Sequence, residues 1–174
     1  MNTLTAPKMW RGRFFEDFEP GDIYRSRLGR TITETENVWF TCLTMNTAQT
    51  HFNHPYAERT MFGKPLVNST LTLALVLGLT VADTSENAFA NLGWTEIRLP
   101  APVFVGDTLW AETEVLEARE SRSNLSVGII SVRTRGLNQE GTVVIEFKRA
   151  FMVYKRDAAE AAEMFPKAAT PWSV

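Results

Sequence analysis

Four runs rich in Val, Ile, Thr and aromatic residues occupy positions 89–98, 108–117, 124–135 and 142–154. That composition suits a pleated, half-buried surface and predicts four strands. Pro100-Ala101-Pro102, the polar stretch 120–124 and Asn138-Gln139-Glu140-Gly141 separate them as turns. Consecutive strands joined by short turns make an antiparallel meander, and period-two alternation predicts that Leu125, Val127 and Ile129 face the same side as Ile145 and Phe147.

Upstream, the pattern changes period. A Pro20-Gly21-Asp22 turn introduces a strand at 23–28. Thr33 followed by Glu36 has capping-box spacing and opens a helix over 34–43. Residues 44–55 are polar and irregular, and Pro55 starts a short helix over 55–59. Residues 65–82 are apolar on nearly every side, which predicts a helix enclosed all round by protein. The Ala-rich stretch 157–174 reads as a short helix with a loose tail. The layout is α+β, with one long buried helix laid across an antiparallel sheet of five or more strands. A domain over 1–156 and a tail over 157–174 are expected.

Composition narrows the class. In 174 residues, 44% are hydrophobic and 22% charged, enough for one sizeable core. The net charge of -2 and pI of about 5.8 lack the basic footprint of a nucleic-acid partner. Asn68, Ser69 and threonines interrupt the uncharged run 65–82, so it reads as a buried helix and no membrane partner is expected. One cysteine, Cys42, gives no disulfide framework, and the first 17 residues mix charges and aromatics where a secretory signal needs an apolar stretch. A cytoplasmic location is expected.

Four local patterns then carry a resemblance: the lead-in 15–22 (Phe-Glu-Asp-Phe-Glu-Pro-Gly-Asp); the loop 43–53 with Tyr56-Ala57 after it; Phe62-Gly63-Lys64-Pro65-Leu66-Val67-Asn68-Ser69; and Arg98 to Leu109 around Pro100-Ala101-Pro102. In that order and spacing the chain resembles the MaoC-like dehydratases of the hotdog superfamily, the group that includes (R)-specific enoyl-CoA hydratases. The resemblance implies a hotdog fold, a homodimer that can assemble further, an acyl-CoA substrate and no cofactor beyond that thioester. His51 matches the family's loop histidine. Asn46 stands where the family has an aspartate, and Asn68-Ser69 where it usually has His-Gly, whose glycine amide belongs to the oxyanion hole.

The chemistry suits these residues. Adding water across an enoyl thioester requires a base for the water, a proton for Cα and fixed donors for the enolate oxygen. A histidine, with an ordinary pKa of roughly 6.5, can supply the first two. Backbone N–H groups at a helix start can supply the third, with Ser69 as the candidate. Asn46 can orient water but cannot take up a proton near neutrality. It acts as a water-positioner beside His51, or a carboxylate from elsewhere, Asp17 or one from a partner subunit, replaces it, or the chain is a non-hydratase relative. Asn68 either touches substrate or caps the helix. His54, beside Pro55, reads as a surface turn residue. No Cys, Asp or Glu shares the loop with His51 and His54, so no metal is expected. Lys64, Arg59 and Arg149 read as solvated surface charges. The departure at Asn46 points to a short, branched or dicarboxylic acyl-CoA of mesaconyl or methylmalyl type, taken by a hydratase/dehydratase. A hotdog thioesterase and a noncatalytic acyl-CoA-binding protein are the alternatives.

Overall fold

The structure is a computed structural model that describes residues 10–162, 166 and 168–170. Six antiparallel strands form one sheet: β1 (Ile23–Arg25), β2 (Arg30–Thr31), β3 (Ala88–Arg98), β4 (Thr108–Glu120), β5 (Val127–Leu137) and β6 (Val143–Tyr154). Their order is β1-β4-β5-β6-β3, with β2 also pairing with β4. The expected first strand, 23–28, is cut to three residues. Ser26 leaves the ladder yet stays attached, its N–H donating to Ala111 O and its Oγ accepting from Ala111 N–H.

Three helices follow the sequence signals. α1 (Glu34–Leu43) starts where the capping box places it, with Thr33 accepting from Glu36 N–H and Glu36 reaching back to Thr33 N–H at 2.9 Å. α2 (His54–Ala57) begins one residue before Pro55 and is capped by Asn53. The apolar stretch 65–82 yields α3 (Ser69–Thr80), which continues into a π-helical turn, Val81–Ser85. Residues 65–68 lie outside it, because Leu66 and Val67 pair in extended form with Thr50, Phe104 and Val103.

α3 is not enclosed all round, as its composition suggested. Leu71, Thr72, Val76 and Thr80 are buried, whereas Ala74 and Gly78 are exposed. The buried stripe lies across one sheet face, where Leu71 and Val76 pack with Ile32, Leu109, Val144 and Phe147. A Cβ on Gly136 would fall 2.6 Å from the Val76 side chain, so the missing side chain is what lets the helix sit this close. A second cluster, Phe18, Val115, Ile130, Val132, Phe151 and Val153, lies under the lead-in segment.

The register corrects the alternation assigned to β5. Ile130 pairs with Phe151 and Thr134 with Phe147, so Ile130, Val132 and Thr134 share the helix side with Phe147 and Phe151. Val127 and Ile129 belong to the opposite set, and Leu125 is exposed ahead of the strand. A helix laid across one face of an antiparallel sheet is the arrangement of the hotdog fold that the family resemblance implies. In the stretch after 156, Ala158 is buried, Ala159–Ala161 forms a single 3-10 turn, and the Ala161 carbonyl accepts from Arg11. Of the short helix and loose tail expected over 157–174, residues 163–165, 167 and 171–174 lie outside the described residues.

Candidate active site

The loop that follows α1 owes its path to a strained residue. Met45 adopts φ +57°, a left-handed conformation that costs a non-glycine residue about 1 kcal/mol. That turn lets Asn46 N–H reach back to Thr41 O at 3.0 Å and closes the end of α1. Asn46 then forms an Asx turn, its Oδ1 accepting from Ala48 N–H at 3.0 Å. Among the described residues its Nδ2 has no partner, so the side chain retains a donor.

His51, half-buried on a 3-10 turn (Gln49–His51), is the anchored group of the loop. Its Nδ1 lies 3.0 Å from the Leu66 carbonyl oxygen. A carbonyl can only accept, so Nδ1 carries the proton and the neutral ring keeps Nε2 bare. Leu66 N–H in turn donates to Thr50 O, which clips the loop to the segment leading into α3.

That segment ends at Asn68, the N-cap of α3. Asn68 is buried and its side chain is committed internally: Oδ1 accepts from Thr70 N–H at 3.0 Å and from Thr70 Oγ at 2.7 Å, and Nδ2 donates to Thr41 Oγ at 3.3 Å. This is the capping arrangement of the two considered from sequence. Ser69 is exposed at the first helical position, where its N–H has no intrahelical acceptor and the helix dipole adds partial positive charge. It lines a groove of about 230 Å³ with Phe62, Leu66, Thr72, Leu99 and Pro102.

The residue that unites these pieces escaped the sequence reading. Asn37 is 1% exposed in the middle of α1. Its Nδ2 donates to His51 O at 2.9 Å and Leu66 O at 3.0 Å, and its Oδ1 accepts from Asn68 N–H at 2.8 Å. Asn37 and Thr41, four residues apart, form one polar stripe on the inner face of α1. Two polar residues at that spacing on a helix face otherwise directed inward are the signal that could have found them.

Other candidates lie elsewhere. Asp17 accepts from Phe14 N–H at 2.9 Å and from Arg156 at 2.5 Å, so its carboxylate is occupied at the lead-in segment. No hydrogen bond among the described residues joins Asn46 to His51. His54 heads α2 with Nε2 2.5 Å from Glu34 Oε1, exposed on both sides. Lys64 rests over the Phe104 ring at 4.2 Å. Arg149 is not the surface charge it resembled: it is buried, bonded to the neutral Asn91 and Ser85 and stacked over Phe151, and burial pulls its guanidinium down to about 10. Among the described residues, no cluster of three or more His, Cys, Asp or Glu could hold a metal, and no helix is long and apolar enough to cross a membrane.

The sequence and fold have known counterparts. A profile of the mesaconyl-CoA hydratase family matches residues 5–166. The mesaconyl-CoA hydratase of Cereibacter sphaeroides is 40% identical over 87% of this chain and 44% of its own length. The beta-methylmalyl-CoA dehydratase of Chloroflexus aurantiacus is 36% identical over 90% and 43%. A solved structure, a MaoC domain protein dehydratase from Chloroflexus aurantiacus, superposes with TM-score 0.82 at 34% identity, covering 95% of this chain and 47% of that one. The chain thus spans less than half the length of each of these three proteins.

Proposed function

The chain belongs to the mesaconyl-CoA hydratase family, within the MaoC-like dehydratases of the hotdog superfamily, and from that membership we propose that it carries the hydrating half-site of a cofactor-free acyl-CoA hydro-lyase. The reaction is addition of water to a mesaconyl-type enoyl-CoA, or its removal from the methylmalyl-type 3-hydroxyacyl-CoA. The relatives named above support this pair of substrates, one being named for hydration and the other for dehydration.

One observation carries the chemical assignment: the Leu66 carbonyl holds His51 Nδ1–H, so the opposite nitrogen is free to work as a base. Nε2 takes a proton from water as the hydroxyl oxygen bonds to Cβ. The electron pair of the double bond moves to the thioester oxygen, and the Ser69 N–H stabilises the resulting enolate. Nε2–H then returns the proton to Cα, so water adds without a second titratable group. Asn46, with its free Nδ2, orients the attacking water. The apolar groove beside Ser69 takes the acyl portion.

The reading includes a homodimer. β3 ends the sheet, and its eleven residues carry exposed Phe89, Leu92, Trp94 and Ile97, an edge that favours pairing with a second sheet. The length of the relatives agrees, since each has room for two such units. A cytoplasmic location belongs to the same reading.

Incubation of the purified protein with mesaconyl-CoA and with crotonyl-CoA, followed by loss of enoyl-thioester absorbance, tests it. Mesaconyl-CoA is expected to react, and His51→Ala to lower turnover by at least about 1,000-fold with the melting temperature nearly unchanged. Hydration of neither thioester, or normal turnover by His51→Ala, overturns the reading. Release of free CoA thiol without loss of the enoyl group would replace it with thioester hydrolysis.

A further inference from the structure

We infer that Asn37 is a positioning residue which holds the His51 base and the start of α3 at a fixed separation. The inference rests on the hydratase reading above and adds a residue outside the loop and the helix that carry the chemistry.

Asn37 is almost wholly buried, and an amide placed there needs partners for both of its ends. Its three bonds go to three different parts of the site: His51 O in the loop, Leu66 O in the connecting segment and Asn68 N–H at the helix cap. Each of these backbone groups is one step from a working group. His51 O belongs to the base itself. Leu66 O fixes the imidazole through Nδ1–H. The Asn68 N–H precedes the Ser69 N–H along the chain.

Leu66 O therefore accepts twice, once from the imidazole and once from Asn37. Its direction is set by the buried amide as well as by the imidazole. If Asn37 is removed, Leu66 O keeps only the imidazole, and His51 can turn or change tautomer with little resistance. The loop and the helix start also lose their common tether. Displacement of a reacting group by about 1 Å typically costs on the order of 100-fold in rate. A residue that only stabilised the fold would lower the melting temperature and leave the imidazole as it is.

The test uses the full chain with 15N-labelled histidine. Only two histidines are present, and His54→Gln identifies the signal of the other. In the wild-type protein the His51 nitrogen shifts are expected to show the Nδ1–H form; a ring protonated at Nε2 overturns the inference at once. Asn37→Ala is expected to mix the two tautomers and lower kcat by about 100-fold, with KM within about threefold. Asn37→Asp keeps the acceptor for Asn68 N–H but loses both donors, and should show the same tautomer mixing even if Asn37→Ala fails to fold. Folded variants that retain the Nδ1–H form and kcat within about twofold overturn the inference. If the wild type hydrates neither thioester, the hydratase reading falls while the nitrogen shifts still decide what Asn37 does.

Discussion

The two faces of the sheet handle polar groups in opposite ways. On the outer face, a row of charges crosses five strands in register: Arg25, Glu112, Arg135, Glu146 and Arg98. Glu112 receives Arg25 Nε at 2.7 Å and also pairs with Arg135; Arg133 meets Glu114 at 2.6 Å, and Lys148 meets Glu96 at 2.7 Å. On the helix side the buried polar groups are neutral: Asn37, Thr41, Asn68 and Thr72 around the candidate site, and Thr113 with Thr134 in the sheet. Arg149 is the exception, and its partners are neutral as well. The difference follows from what each face meets. The arginines around the largely covered Glu112 reach water, where their charge is screened and tolerated, so such pairs can set strand register cheaply. Near a reacting enolate a fixed charge would act at close range in a poorly screening medium, whereas amides and hydroxyls hold geometry without adding a field of that size.

The strongest way to break this contrast is to put a charge on the neutral side. Asn68→Asp retains a good helix cap but sets a carboxylate beside the amide assigned to the enolate. Turnover should fall by about 100-fold, comparable to loss of one oxyanion donor, while the melting temperature moves by only a few degrees. Equal turnover in the variant would show that the α3 terminus does not carry developing charge.

Removing a charge from the outer face should do the reverse. The hydrogen bonds from Arg25, and then from Arg135, hold the Glu112 carboxyl below the usual carboxylate range. Because the folded value is depressed, this contribution is complete above the ordinary glutamate value of about 4.3 and is lost as pH falls through the depressed one. Both arginines are largely exposed, so screening limits the effect. Glu112→Gln should cost about 0.5–1 kcal/mol near neutrality, with no loss of turnover. Urea unfolding at neutral and strongly acidic pH checks this, since the two proteins should converge in acid.

The smallest expected effect sharpens the contrast at the loop itself. Met45 is 84% exposed and sits in a left-handed conformation. Met45→Gly removes that strain and loses little contact, although glycine gives back part of the gain in the unfolded chain. A rise in melting temperature of about 1–2 °C is expected, measurable by calorimetry. A fall would mean that the Met45 side chain contributes packing that its exposure does not reveal.

Much of the fold was legible because its signals are local. The Thr33–Glu36 pair marks the start of α1 within its own first turn, and the turn residues around 100–102 and 138–141 bracket strands whose bounds shift by only a few positions. The side assigned to β5 went astray because Val127, Ile129, Ile130 and Val132 are all apolar, so period-two alternation has no polar phase to mark it. The enclosure of α3 was overestimated for a related reason: hydropathy cannot separate a surface covered by the chain's own sheet from one left open. In the site, His51 and Ser69 came from family pattern and the helix-start argument. Asn37 did not: the Asn37–Thr41 spacing marks a polar stripe on α1, but the role of Asn37 depends on positions 51, 66 and 68 arriving together in space.

The doubly accepting carbonyl of Leu66 also makes a natural reporter. A carbonyl that receives two hydrogen bonds vibrates at a lower frequency than one that receives a single bond, and it sits between the imidazole and the buried amide. A 13C label at that one carbonyl would turn the infrared spectrum into a gauge of how firmly the base is gripped. Its band would register any loosening or tightening as a thioester enters the groove, before a single bond to carbon has changed.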